Sequence, residues 1–464
     1  MTLLALLVGL IPVTAIGWMT LRLLEGKTPV LDRYERVLCG FALGTAVAMF
    51  AVFTVHHYAG VALTWWSILA IEAALCAVLG AGYSVLPHAP SAAPPMPAVL
   101  PASRPVRLAL CLFVLWTLAK IAAGLLVSFT TPTFYDDAMD NWNYRAKVYA
   151  ELRRIPLALP PHETVDPLTS YPPAVPLIKA HLAMLRGEWS DGVANALHTF
   201  WLLAAGGILW FLLRRRTNGA WALLGAAVYW SLPLVLMHGT NPYADVFLSL
   251  HYLCATHFLL IALDGKAVEE SLSGLRLAVL PMALLPFTKN EGFALYLPSA
   301  LLLLAATGWI LVRDKRVSAR TLVKTGAWLA GLLGLVLASW IGYKVMNGLT
   351  FGNAKGLSGI FAGWQENVLL AITINTFLEG NWLLLFPVLT GLLLLRIRDL
   401  LPPSWLTVLA LSVLVPYGAQ LLLFLFTVLS AEALMQTGYA RGLIHIMPLI
   451  VALTVILLRK TIKR

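Results

Sequence analysis

Long apolar runs dominate the sequence and limit what the chain can fold into. Crossing the ~30 Å hydrocarbon layer of a bilayer takes about 20 helical residues. With 59% apolar and 12% charged residues and a mean hydropathy of +0.81, the chain is predicted to be an all-α, polytopic transmembrane helical bundle of about 13 spans. The apolar runs lie at about 1–24, 37–55, 61–86, 107–130, 191–213, 217–237, 243–263, 275–288, 292–312, 324–345, 381–395, 404–430 and 442–458. The shortest two, 275–288 and 381–395, are the weakest candidates for a full span.

The basic residues predict the orientation of this bundle. With thirteen spans the termini lie on opposite sides, and 22 of the 33 Lys and Arg residues then fall on one face. By the positive-inside rule that face is cytoplasmic. The net charge of +11 is therefore mainly a topology signal, and nucleic-acid binding is not expected. The basic loops are 22–36, 104–107, 214–216, 266–276, 313–324, 396–398 and 459–464. The segments assigned to the opposite, exoplasmic face are 134–190, 238–243, 288–292, 346–380 and 430–441.

We divide the chain into four parts. They are a three-span N-terminal unit (1–86), a Pro-rich cytoplasmic linker (87–106), a catalytic transmembrane module (107–345) with a large exoplasmic loop (131–190), and a C-terminal transmembrane region (346–464). In the loop, an interfacial helix is predicted at about 140–153, followed by a Pro-rich turn and a second surface helix near 175–185. The four cysteines lie inside predicted spans, which argues against a disulfide framework.

The large exoplasmic loop begins with a dense cluster of charges. Asp136, Asp137 and Asp140 are followed by Arg145 and Lys147, directly after an apolar run. A carboxylate here can act as a general base or a metal ligand, and the cations can hold a phosphate. The alternative is a salt-bridged interfacial helix without chemistry, although the adjacent Asp136 and Asp137 repel each other.

Three further motifs lie at exoplasmic ends of spans. Lys289 and Glu291, next to a glycine, suit either a phosphate contact held by its own counter-ion or a plain helix connection with a solvated charge pair. Asp245 follows a turn and either caps its helix or orients a site residue. Arg441 is the only basic residue of the last exoplasmic loop and can grip a phosphate or diphosphate, with His445 one turn further on.

Together these residues resemble the GT-C superfamily of membrane glycosyltransferases, in the bacterial branch related to protein O-mannosyltransferases and lipid A aminoarabinose transferases. The resemblance covers about 107–300 and the final span. It rests on the Asp136–Asp137 pair, Trp142, Arg145-Ala-Lys147, Tyr171-Pro172-Pro173, Tyr243-Ala-Asp245 and Lys289-Asn-Glu291-Gly292. Enzymes of this branch move a sugar from a polyprenyl-phosphate carrier to a lipid, glycan or protein acceptor on the exoplasmic side.

The resemblance implies a GT-C-like fold and roles for the matching positions. Asp136 or Asp137 would supply the catalytic carboxylate, and the expected reaction is a single inverting displacement at the anomeric carbon. Candidates for the donor phosphate are Arg145, Lys147, Lys289 and Arg441. Candidates for binding or orienting substrate are Asp140, Trp142, Tyr171, Tyr243, Asp245, Glu291 and His445. A divalent cation, Mg²⁺ or Mn²⁺, held by Asp136 and Asp137 stays open. The expected location is a bacterial inner membrane, with the site facing the periplasm.

Two other classes of protein compete with this interpretation. An O-antigen ligase or glycan polymerase would use Arg and His on a diphosphate carrier, and the Asp136–Asp137 pair speaks against it. A secondary transporter would carry charges at mid-span on broken helices and often shows two similar halves, whereas here the charges crowd one face. The transferase hypothesis expects Asp136, Asp137, Lys289 and Arg441 to converge at one exoplasmic cavity.

Overall fold

A computed structural model describes residues 2–87, 103–134, 137–161, 164–351 and 364–462. This described part is helical and contains no strand. The α-helices are α1 (Thr2–Glu25), α2 (Arg33–Ala59), α3 (Trp65–Ser84), α4 (Arg104–Thr130), α5 (Tyr144–Leu152), α6 (Ala174–Arg186), α7 (Asp191–Arg214), α8 (Gly219–Ser231), α9 (Pro233–Thr240), α10 (Asp245–Asp264), α11 (Val268–Thr288), α12 (Leu297–Arg313), α13 (Ala319–Met346), α14 (Val368–Thr373), α15 (Leu385–Leu400), α16 (Trp405–Phe426), α17 (Ser430–Leu434), α18 (Gly438–Ile444) and α19 (Met447–Ile462). Short π-helical segments lie at Ala138–Asn143, Gly292–Tyr296 and Ile374–Leu378, and 3₁₀ segments at Pro167–Ser170 and Gly380–Trp382.

The long helices coincide with the predicted apolar runs. Within the described residues, ten helices are long and apolar enough to cross a membrane, and the bent pairs α8–α9 and α18–α19 raise the number to twelve. The prediction of an all-helical integral membrane protein is confirmed for this part of the chain. The one predicted run for which the described residues form neither a span-length helix nor a bent pair, 381–395, corresponds to α15, which has 16 residues and is short for a span. The weak run 275–288 belongs to α11, a full-length helix of 21 residues.

Close helix crossings hold the first two spans together. The backbones of α1 and α2 touch at Gly17, Gly40 and Gly44, where a Cβ atom on Gly17 would lie 1.9 Å from the Gly40 carbonyl oxygen. Small residues allow this approach, and packing at such crossings replaces the hydrophobic driving force that is missing between helices in lipid. The centre of the bundle is α10, in which every residue from Asp245 to Leu263 is buried.

Basic loops that the sequence assigns to one face do lie at one end of the bundle. Glu35 at the start of α2 accepts hydrogen bonds from Arg215 (2.7 Å) and contacts His257 of α10 (2.6 Å). At the same end of the helices, Arg396 of α15 donates to the Lys460 carbonyl oxygen of α19. We call this the basic end. Since α15 and α19 both finish there, α15 runs alongside α19 from the opposite end of the bundle.

The large loop differs from its predicted form in one respect. A π-helical turn and α5 cover the predicted interfacial helix at 140–153, but α6 does not lie on the surface. Residues 174–183 are all buried, because α6 packs against α1 and α2 as well as α5 and α7. Its apolar composition therefore reflects burial inside the protein rather than contact with lipid. Most of the predicted linker, 87–106, lies outside the described residues.

Candidate active site

A fully buried carboxylate lies at the end of the bundle opposite the basic end. Asp245 is the first residue of α10, directly after the turn that joins α9 to α10. One of its oxygens, Oδ1, accepts a hydrogen bond from Lys289 Nζ (2.7 Å) and lies 2.8 Å from His445 Nε2. Asp245 therefore binds side chains from other helices instead of capping its own.

The second carboxylate oxygen joins two further side chains. Asp245 Oδ2 lies 3.0 Å from His238 Nδ1 and accepts a hydrogen bond of 2.9 Å from Arg441 Nε. Arg441 also donates to Asp137 through Nη1, and its guanidinium lies 4.7 Å from the centre of the Tyr243 ring. Two carboxylates and an aromatic face thus fix one guanidinium.

Lys289 and Glu291 occupy the break between α11 and the π-helical turn at Gly292. This break is tight, since a Cβ atom on Gly292 would lie 2.1 Å from the Leu285 carbonyl oxygen. Lys289 Nζ lies 3.0 Å from Glu291 Oε1. Burial opposes both charges, but Asp245 and Glu291 outweigh it and raise the pKa of Lys289, while Lys289 lowers the pKa of Glu291. Lys289 is thus a buried ammonium between two carboxylates, those of Asp245 and Glu291. It is not part of a solvated charge pair in a plain helix connection.

A cavity of about 280 Å³ opens beside this cluster. Its polar lining residues include Asp137, Tyr171, Lys289, Asn290, Glu291, Gln420, Thr427, Glu432, Arg441 and His445, and its apolar lining residues are Ala294, Leu295, Phe351, Leu423, Phe424, Val428 and Leu429. More than half of these apolar residues belong to the end of α16 and the residues after it. The cavity therefore combines charged groups with apolar side chains, as an amphipathic ligand requires.

Other predicted site residues lie outside this cavity. Arg145 is buried, and its guanidinium donates to Asn141, Tyr149 and the Tyr171 carbonyl oxygen. Lys147 lies 4.0 Å from Asp191 and over the ring of Trp189.

Further residues of the predicted site also lie outside the cavity lining. Asp140 is exposed and Trp142 is buried with its ring against Tyr171. Tyr243 is buried beneath Arg441. Asp136 lies outside the described residues.

Several residues near the cavity were not predicted. His238 lies in an exoplasmic segment that the sequence identified, but it was given no role. Lys344 Nζ donates a hydrogen bond to the Asn290 side chain (3.2 Å). The sequence signal for this residue is a lysine at the predicted exoplasmic end of a span, which runs against the positive-inside trend. Gln420 is an amide inside an apolar run, which usually marks an inward face, and it donates to the Tyr439 carbonyl oxygen.

No group of three or more His, Cys, Asp or Glu residues that could hold a metal ion occurs within the described residues. The predicted divalent cation at Asp136 and Asp137 is thus neither supported nor excluded, because one of its two ligands is outside that part.

No family model, curated protein or solved structure matches the chain. The fold and the cluster define a polytopic membrane protein with one amphipathic, charge-lined cavity at an end of its helical bundle. The functional argument rests on that cavity.

Proposed function

We propose that the protein is a GT-C-like glycosyltransferase that moves a sugar from a polyprenyl-phosphate carrier to a lipid, glycan or protein acceptor. The observation that carries this proposal is the mixed lining of the cavity. It combines Lys289, Arg441 and several carboxylates with apolar side chains from the end of α16 and the residues after it. A lipid-linked phosphosugar likewise combines a charged head with a hydrocarbon chain.

Lys289 and Arg441 are the residues that would bind the carrier phosphate. Both border the cavity, and both donate a hydrogen bond to Asp245, which does not border it. Their remaining N–H groups can donate to other partners. Those partners are Glu291 and Asp137. A phosphate oxygen would replace them, and the two cations would then stabilise the charge that develops on the leaving phosphate.

The carboxylates that the phosphate replaces at the two cations would orient the sugar and the acceptor. The resemblance implies Asp137 or Asp136 as the catalytic carboxylate, and Asp137 borders the cavity. Arg145 and Lys147 are not needed for the phosphate in this proposal, since one is engaged in the loop's own hydrogen bonds and the other pairs with Asp191.

The membrane setting follows from the charge distribution. The basic end would face the cytoplasm under the positive-inside rule, so that the cavity would face the periplasm of a bacterial inner membrane. In this arrangement α15 would be an additional crossing that raises the number from twelve to thirteen. The carrier's prenyl chain would leave the cavity past its apolar lining residues into the surrounding lipid.

One observation favours a second candidate. Arg441 and His445 both contact Asp245 and both border the cavity, and an Arg–His pair beside a lipid-linked diphosphate is what an O-antigen ligase or polymerase would need. The transporter alternative is less favoured, since the charged residues that line the cavity lie at one end of the bundle rather than along a central path.

The test is sugar transfer by purified protein in nanodiscs, with a panel of radiolabelled polyprenyl-phosphate sugars and one of diphosphate-linked sugars. The variants are Lys289→Gln and Asp137→Asn. The matched control is Glu188→Gln, which changes a 74% exposed acid of the same large loop that pairs with Arg186.

The proposal expects turnover with a monophosphate donor, a large rise in the KM for donor in Lys289→Gln, and normal turnover in the control. Turnover with diphosphate donors alone would move the protein to the ligase class. Absence of turnover with both panels, in folded protein, would contradict both enzyme proposals.

A further inference from the structure

His445 occupies a special position between the last two helices. It lies at the 62° bend between α18 and α19, is 2% exposed, and borders the cavity. Its Nε2 atom is 2.8 Å from Asp245 Oδ1. Within the part of the chain that the structure describes, its other ring nitrogen, Nδ1, makes no hydrogen bond.

The partners of Asp245 determine which nitrogen carries the proton. Asp245 also accepts from Lys289 and Arg441, so it is an ionised carboxylate that can only accept. The hydrogen on neutral His445 must therefore be on Nε2, and Nδ1 carries the lone pair. A histidine with one nitrogen on a buried carboxylate and a free lone pair on the other is arranged as a proton acceptor.

Two of the carboxylates that border the cavity are less suited to that task. Asp137 is bound to Arg441 and Glu291 to Lys289. Although burial opposes the charge of Glu291, Lys289 lowers the pKa of this carboxyl group, which makes it a weaker base. Asp245 itself is surrounded by four donors and does not border the cavity.

We infer that His445 is the general base of the proposed transfer reaction and that Asp245 is its positioning residue. This inference rests on the proposed function. His445 Nδ1 takes the proton of the acceptor hydroxyl while that oxygen forms a bond to the anomeric carbon. The bond from this carbon to the phosphate oxygen breaks, and its electron pair leaves with the carrier phosphate, which Lys289 and Arg441 hold. Asp245 stabilises the imidazolium, which then returns its proton to water.

The experiment compares His445→Ala with His251→Ala in the sugar-transfer assay. His251 is a buried histidine of α10 whose ring contacts the Phe247 carbonyl oxygen rather than Asp245 or the cavity, so it matches His445 in burial. Loss of a general base lowers kcat by roughly 10²–10⁴-fold. We expect that loss in His445→Ala with little change in the KM for donor, and no such loss in His251→Ala.

Chemical rescue separates a base from a structural residue. Added imidazole should restore at least part of the kcat of His445→Ala, and the rescue should grow with pH as neutral imidazole accumulates. His445 is faced by Asp245 of α10, by Lys289, Glu291 and the ring of Tyr296 between α11 and α12, and by Arg441 of α18. The acidic limb of the wild-type kcat profile should nevertheless disappear in His445→Gln, because only His445 is removed.

The outcomes distinguish this inference from the proposed function. Suppose that the wild type transfers sugar and His445→Ala has a nearly normal kcat. His445 is then not the base, and the proposed transferase function stands. The same holds if His445→Ala binds donor and stays folded but imidazole does not restore its kcat. If Asp137→Asn alone abolished kcat, the base would be that carboxylate. No transfer by the wild type from any donor would refute the proposed function and this inference together.

Discussion

Replacing Asp245 with asparagine tests the centre of the cluster. The amide keeps the shape of the side chain but has one acceptor oxygen, whereas the carboxylate accepts on both. Lys289 and His445 share Oδ1, and His238 and Arg441 share Oδ2. Whichever way the amide turns, its NH₂ group faces two side chains that donated to the carboxylate.

The expected loss of unfolding free energy depends on which ion-pair partners Lys289 and Arg441 lose and which they keep. Removing one partner of a buried ion pair typically costs about 3–5 kcal/mol. Lys289 keeps Glu291 and Arg441 keeps Asp137 after the substitution, so we expect the lower end, about 3 kcal/mol of unfolding free energy. The control is Asp264→Asn, at the other end of α10, where a 34% exposed side chain pairs with the buried side chain of Arg216. Because the Asp264 carboxylate stays partly hydrated, we expect this substitution to cost less than Asp245→Asn.

The assay is reversible unfolding of both variants in mixed micelles by titration with a denaturing detergent. A second variant, Lys289→Met, completes a double-mutant cycle with Asp245→Asn. Because the two side chains touch, the double variant should lose less stability than the sum of the two single variants, by about 0.5–3 kcal/mol. Equal stability losses for the Asp245 and Asp264 variants, or strict additivity in the cycle, would refute the view that Asp245 is the counter-ion of a buried cluster.

Three further predictions concern other parts of the molecule. Glu35→Gln removes the buried counter-ion of Arg215 at the basic end and should cost about 3 kcal/mol in the same unfolding assay, without changing the KM for donor. Gly17→Ala should disrupt the α1–α2 crossing and sharply reduce the yield of folded protein, whereas Gly331→Ala, where a Cβ atom meets nothing within 4 Å, should leave the size-exclusion profile unchanged. The lowered pKa of Glu291 means that its ionised form stabilises the fold above its ordinary pKa of 4.5, and that this contribution is lost as pH falls. The wild type should therefore lose its thermal stability advantage over Glu291→Gln as the pH drops below about 4.5.

The gathering of Asp245, Lys289 and Arg441 at one end could be predicted from the sequence. Counting spans and applying the positive-inside rule assigns all three to the same face, although up to about 200 residues separate them. The same reasoning could not predict that Asp245 would be the centre of the cluster. Four donors surround it, and they arrive from α9, the α11–α12 break, α18 and the α18–α19 bend.

Helical spacing explains why the sequence predicts Arg145 as a phosphate-binding residue on equal terms with Arg441. The spacing of Asn141 and Arg145 correctly predicts that they share a helix face, and their side chains are 3.3 Å apart. Spacing does not say whether that face meets a cavity or the protein interior. The same ambiguity affected α6, because an apolar helix beside a membrane has the same composition whether lipid or protein covers it.

The site depends for its assembly on residues that are far apart in the sequence. Arg441 lies in α18 and His445 at the α18–α19 bend, while Asp245 begins α10. During synthesis Asp245 can enter the bundle with only His238, and later Lys289, as partners. A nascent chain that stops before α18 would insert most of the described helices and still contain half a cluster, so the polar cavity is complete only after α18 has been made.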